Sequence, residues 1–173
     1  GTSFSPTPII RYLEGQASFL WTVYSDTETF TSIEKEPTFK LVKPGWYNLS
    51  LRVTADGGDS SAEATEVEFF HVAPKVVFFK ENAETPRYPY DTIDSAVGDF
   101  NTAWREIIDG GTLYISGKVT LPDTMNIFKA VTVAGINGRD VDEVRCSGKN
   151  VISLDNPGAL VRGLKITGGR RGV

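Results

Sequence analysis

With one histidine, one cysteine and one methionine in 173 residues, the chain has few ways to assemble a catalytic or metal site. His71 follows Phe69-Phe70 in an alternating run, and strand alternation accounts for its position. Without a second histidine or a partner cysteine, zinc binding or a Ser-His-Asp relay requires unusual ligands. Cys146 excludes an internal disulfide and reads as a small buried thiol in a strand. Asp26, Asp56 and Asp59 fall in turns and are the candidate Ca²⁺ ligands, because this hard ion takes oxygen donors. Aspartates in turns more often bond the local backbone. Arg139-Asp140-Val141-Asp142-Glu143 and Arg170-Arg171 are the charge clusters, and both read as solvated loop. Gly135-Ile136-Asn137-Gly138 and Gly168-Gly169-Arg170-Arg171-Gly172 lack the Lys-Ser/Thr ending of a phosphate loop and read as turns.

The aromatic residues are better candidates for ligand contact. If Tyr47 faces a core, the period of two along a strand turns Trp46 outward. An exposed indole there can stack on a sugar ring or dock a neighbouring domain. Tyr88 and Tyr90, flanking Pro89, are the other two ligand-binding candidates. Closing a cap or anchoring a linker is their plainer role. Asn48-Leu49-Ser50 matches the glycosylation sequon by pattern only.

The elements that position these residues follow from composition and periodicity. Eighteen basic against 22 acidic side chains give a net charge of -4. Residues 1–74 hold 5 basic and 10 acidic groups, and residues 75–173 hold 13 and 12. Neither half has the basic excess of a nucleic-acid binder. No apolar run approaches the ~20 residues of a membrane span. Hydrophobic residues at 40% exclude a disordered chain, and 17 Gly with 9 Pro exclude a coiled coil. The chain opens on Gly1-Thr2-Ser3, without a start Met or signal peptide, and reads as a cloning scar or the stub of a processed precursor.

Ala17–Tyr24, Thr38–Val42, Tyr47–Thr54 and Glu63–Val72 read as strands, with Asp56-Gly57-Gly58-Asp59 as a turn. Short spacing between them predicts a small antiparallel sandwich. Residues 73–90 form a joint containing the apolar run Val76–Phe79. Phe100, Ala103, Trp104, Ile107 and Ile108 then follow a helical period, with Asp99 or Asn101 as cap and Gly110-Gly111 as stop. Beyond it come short strands at 112–116, 118–121, 130–134, 143–146, 151–154 and 160–167. The pairs Leu113/Ile115, Val131/Val133, Ile152/Leu154 and Leu164/Ile166 recur at steps of 18, 21 and 12 residues. The first two steps fit one turn of a parallel coil, and the last joins two faces of one coil.

Trp21, Pro37-Thr38-Phe39 and the run Pro44-Gly45-Trp46-Tyr47 through Asp56-Gly57-Gly58 resemble a PKD-type immunoglobulin-like domain over residues 9–74. The stretch after the tryptophan, Trp21-Thr22-Val23-Tyr24-Ser25-Asp26, departs from that family's pattern. The resemblance implies that Trp21 fills the inter-sheet core and that the Tyr47 hydroxyl bonds nearby backbone. Asp109-Gly110-Gly111-Thr112-Leu113-Tyr114-Ile115-Ser116-Gly117 and Gly158 to Gly169 resemble the N-terminal end of a pectin-lyase-like right-handed parallel β-helix. That second resemblance covers residues 78–173 and implies a cap helix. Related polysaccharide lyases use acidic residues with calcium and an Arg or Lys, but no such motif carries over here.

The expected class is all-β: an immunoglobulin-like sandwich over residues 1–74, then the capped first coils of a β-helix over 75–173 that continues beyond Val173. The expected function is a non-catalytic extracellular or bacterial cell-surface segment for adhesion, spacing or polysaccharide binding. No catalytic residue and no cofactor is assigned. A cell-surface glycan is the expected partner, with self-association through the open coil end as a further contact. The competing readings are a fragment of a polysaccharide lyase or glycoside hydrolase, and a purely architectural surface protein.

Overall fold

Strict alternation along Tyr47–Val53 can bury one row of side chains only if the chain is extended, and the structure builds outward from that strand. The computed structural model describes residues 2–11, 15–56 and 60–170, and it is all-β apart from one short helix. Two compact units divide the chain, Gly1–Val72 and Ala73–Val173.

The first unit contains β1 (Thr2–Phe4), β2 (Ala17–Tyr24), β3 (Thr29–Ser32), β4 (Phe39–Leu41), β5 (Gly45–Ala55) and β6 (Ser61–Val72). Four of them form an antiparallel sheet in the order β3-β2-β5-β6, while β1 pairs with β4. Side chains from both sheets share one core: Trp21, Val23, Phe39, Leu41, Tyr47, Leu49 and Val72. The buried Trp21 indole donates to the Lys35 carbonyl at 3.3 Å, which satisfies its N–H. Tyr47 is 1% exposed, and its hydroxyl donates to the Lys43 carbonyl at 3.0 Å and to the Glu28 carboxylate. The expected backbone bond from Tyr47 is therefore present, together with an unforeseen carboxylate partner.

The second unit contains β7 (Val76–Lys80), α1 (Phe100–Glu106), β8 (Thr112–Ser116), β9 (Lys118–Leu121), β10 (Met125–Ile127), β11 (Thr132–Gly135), β12 (Glu143–Cys146), β13 (Ile152–Leu154), β14 (Leu160–Arg162) and β15 (Lys165–Thr167). Its strands form three parallel sheets, β7-β8-β11-β14, β9-β12-β15 and β10-β13. Parallel neighbours cannot be joined by a hairpin. The β7–β8 connection runs through α1, and from β8 onward the chain visits the other two sheets before returning, so each complete circuit adds one strand to each sheet. Leu113 lies beside Val133 and Val133 beside Val161, while Val119, Val144 and Ile166 form a second inward row.

This register corrects the sequence-level repeat. Leu113 stacks on Val133, a step of 20, and not on Val131 at 18. Ile152 belongs to another sheet, beside Met125, so the 21-residue step is no stacking step. Unequal connections between strands hide the true spacing. The 12-residue step does link different sheets, although of successive circuits.

Helix α1 ends one turn earlier than its periodicity predicts. Ile107 turns extended (φ -70°, ψ 131°), which carries its side chain into the core at 1% exposure. Asp99 caps the other end, its carboxylate accepting the Thr102 N–H at 2.7 Å. Cys146 is buried in β12, as expected. At the opposite end of the stack, β13, β14 and β15 are the last strands of their sheets. Val161 and Ile166 are only partly buried there, whereas Val133 and Val144, one circuit earlier, are fully buried.

Among the described glycines, the closest approach of a neighbour lies at the corner between the first two of these sheets. A Cβ on Gly135 would sit 2.1 Å from the Gly163 carbonyl oxygen, and Gly163 itself has φ +64°. Gly135→Ala is expected to cost about 3 kcal/mol, the upper end of overpacking, because the obstacle is backbone. Urea unfolding of the variant measures it, and a wild-type midpoint would refute the account.

Candidate functional site

The register of β5 and β6 sets Trp46 opposite His71. Their rings stack at 4.2 Å between centroids with an 18° interplanar angle. Trp46 is 49% exposed, on the outer face where alternation puts it. The pair forms a flat aromatic platform, with His71 backing the indole. Such a surface suits the apolar C–H face of a pyranose ring. The neighbouring Asn48, the sequon residue, uses its side-chain carbonyl to accept the Glu68 N–H at 2.8 Å.

Tyr88 and Tyr90 come together in the second unit, edge to face at 5.7 Å, across a cis Tyr88-Pro89 bond. The Tyr90 carbonyl accepts the Phe78 N–H at 2.7 Å, and its ring packs against the core. Burial, reinforced by the Glu106 carboxylate and by Tyr90, pushes the Tyr88 hydroxyl well above the ordinary phenol range. It keeps its proton at neutral pH, so it cannot serve as a base there. Both rings are half-buried and line the joint between β7 and α1.

Asp26 is exposed in a turn, and the Asp56 N–H donates to the Gln16 carbonyl at 3.0 Å. Asp59 lies outside the described residues. Among the described residues, no three His, Cys, Asp or Glu side chains gather in a metal-binding group. A pocket of about 220 Å³ beside α1 is lined by Glu81, Asp99 and Asp123. Each of these carboxylates is engaged: Glu81 by the Thr120 N–H, Asp99 by the helix, and Asp123 by Lys149 at 2.7 Å.

The cluster at 139–143 is not the uniformly solvated loop that its charge suggests. Arg139 and Asp140 are exposed, but Asp142 is completely buried. Its carboxylate accepts the Gly117 N–H at 2.7 Å, the Asn137 N–H, and the Asn137 side-chain amide at 3.1 Å. The sequence signal was weak, because Gly117 lies 25 residues away and meets Asp142 only after a full circuit. Glu143 instead opens β12 on an outer face, between Lys118 and Lys165. A hydrogen bond from Thr167, with Lys165, Lys118 and Arg145 nearby, holds its carboxyl below the usual range.

A second residue missed in the sequence is Lys129. Its ammonium donates to the Trp104 and Ile107 carbonyls, both at 2.6 Å, and lies 5.5 Å from the Trp104 ring centroid. It thereby neutralises the carbonyl end of α1. Burial lowers its pKa against the raising effect of Asp109 and Glu106.

Glu81, Asp99, Asp142 and Lys129 thus bond backbone groups, Asp123 bonds Lys149, and Glu143 bonds the Thr167 hydroxyl. Trp46 and His71 present a stacked aromatic pair whose indole is open to solvent. Compared with known proteins, the chain matches no family model, no curated protein and no solved structure.

Two substitutions test these assignments. Asp142→Ala leaves buried donors unsatisfied and is expected to cost about 3 kcal/mol in urea unfolding. Asp99→Ala is expected to cost about 1 kcal/mol at pH 7. Hydrogen bonds from the Thr102 side chain and backbone lower the folded pKa of Asp99 below its ordinary 3.8. Its contribution is therefore present above pH 3.8 and fades as pH falls through the folded value. Melting curves of wild type and variant should converge in that acid window and stay parallel above it.

Proposed function

We propose that this chain is a non-catalytic segment of an extracellular or bacterial cell-surface protein that contacts polysaccharide. In this reading the first unit is a PKD-like, immunoglobulin-type sandwich that acts as a spacer. The second is the capped start of a right-handed parallel β-helix of the pectin-lyase-like class. The Tyr47 bond to the Lys43 carbonyl supports the sandwich, because a tyrosine folded back onto upstream backbone is a hallmark of that architecture. The three parallel sheets with α1 packed at one end support the helix, and parallel crossovers are right-handed in almost every known case.

The observation that carries the ligand class is the Trp46–His71 platform, a stacked pair on a sheet face whose indole is exposed and whose imidazole is half-buried. Trp46→Ala is expected to abolish oligosaccharide binding, followed by tryptophan fluorescence, while the melting curve shifts little. A large loss of stability with unchanged binding would make Trp46 a packing residue instead. Polygalacturonate incubated with the protein, with and without calcium, should give no ultraviolet rise from unsaturated products. Turnover lost on Arg139→Ala would establish the lyase reading in its place.

A further inference from the structure

The turn at 135–138 carries a reactive pair. Asn137-Gly138 is the one asparagine–glycine step in the sequence, and the other six asparagines precede Leu, Ala, Thr, Ile, Val or Pro. A main-chain nitrogen attacks the side-chain carbonyl carbon of the asparagine before it most readily when no Cβ shields the approach. Gly138 has none, adopts φ +86°, and has open space where a Cβ would stand. Its N–H bonds no group among the described residues, and Asn137 is exposed. The nitrogen that must attack is therefore uncommitted.

The nitrogen that must leave is held. Asn137 Nδ2 donates to the buried Asp142 carboxylate at 3.1 Å, and the Asn137 main-chain N–H donates to the same carboxylate. Ring closure forms the bond from Gly138 N to Asn137 Cγ, breaks the Cγ–Nδ2 bond and releases ammonia. It therefore destroys a charge-assisted bond that the amide makes and the succinimide cannot. Bonds made to the reactant and lost on the way to product slow a reaction.

Water then opens the ring at either carbonyl, leaving aspartate or isoaspartate. Aspartate sets a second carboxylate where the amide nitrogen met Asp142, and two like charges in one site repel. Among the described residues no Lys or Arg forms an ion pair with Asp142 to offset that charge. Isoaspartate instead lengthens the main chain by one carbon immediately before Gly138, whose carbonyl accepts the Val141 and Asp142 N–H groups at 3.0 and 2.9 Å. We infer that Asn137 is a site of spontaneous deamidation, guarded by Asp142 while the corner is closed, and that its conversion weakens the corner permanently. A local opening of this circuit, otherwise reversible, thereby becomes a lasting covalent change.

The test incubates the full chain in mildly alkaline buffer, with and without urea, beside a capped peptide of residues 134–140. Peptide mass spectrometry follows the change of amide to acid at Asn137. The folded chain should convert at least tenfold more slowly than the peptide. In urea the chain should convert at the peptide's rate, with its other asparagines slower. Asp142→Asn keeps the shape and removes the charge, so it should speed conversion at least threefold in a chain whose melting curve shows it folded. Asn137→Asp should lower the urea midpoint more than Asn137→Ala, because both lose the donor and only the first adds a carboxylate. If Asp142→Asn unfolds, the rate ratio and the two Asn137 variants decide. Four results would overturn the inference: folded chain and peptide converting equally fast, Asn137 no faster than other asparagines in urea, a folded Asp142→Asn with the wild-type rate, or equal midpoints for Asn137→Asp and Asn137→Ala.

Discussion

The second unit depends on the chain turning the same corner at the same place on every circuit. At that corner Gly135 passes so close to Gly163 that no side chain fits between them, and the Asp142 carboxylate holds the Gly117 and Asn137 N–H groups together. Parallel strands have no tight turn of their own to fix register. Here register is fixed by backbone contact from outside the strands and by inward rows such as Leu113, Val133 and Val161. A charge buried at the corner is tolerable because hydrogen bonds surround it. Outside the corner the loop at 136–142 can be long without disturbing the rows, since it leaves and re-enters at points already tied.

Individual strands were far more legible than their stacking. Ala17–Tyr24, Thr112–Ser116, Lys118–Leu121 and Glu143–Cys146 have the bounds that alternation predicts. β1 and β3 were missed because Thr2-Ser3-Phe4 and Thr29-Phe30-Thr31-Ser32 are mostly hydroxylic with a single apolar residue each, and β10 because it is only three residues long. Gly163 splits the run read as one strand over 160–167 into β14 and β15. The repeat length was misread because connections of unequal length separate residues that end up adjacent.

The same physics decides which site residues could be read in advance. Trp46 was placed on the outer face by period two alone, because that inference needs only its own strand. Its stacking on His71 depends on the register of β5 with β6, which no local pattern reveals. Asp142 and Lys129 escaped for the same reason, since Gly117 lies 25 residues from Asp142, and the carbonyls of Trp104 and Ile107 lie 25 and 22 from Lys129. Both are charged residues that composition alone assigns to the surface. Each is instead held by peptide groups whose positions follow from the completed circuit.

The lone thiol acquires a use from its position. Cys146 is 1% exposed, at the end of a strand clasped by β9 on one side and β15 on the other. A thiol reagent reaches it only when β12 opens to solvent, so the labelling rate counts those excursions. Because it is the chain's sole cysteine, every modified molecule records the same event. The protein therefore carries an internal chronometer for the breathing of its middle circuit, readable by mass without any engineered probe.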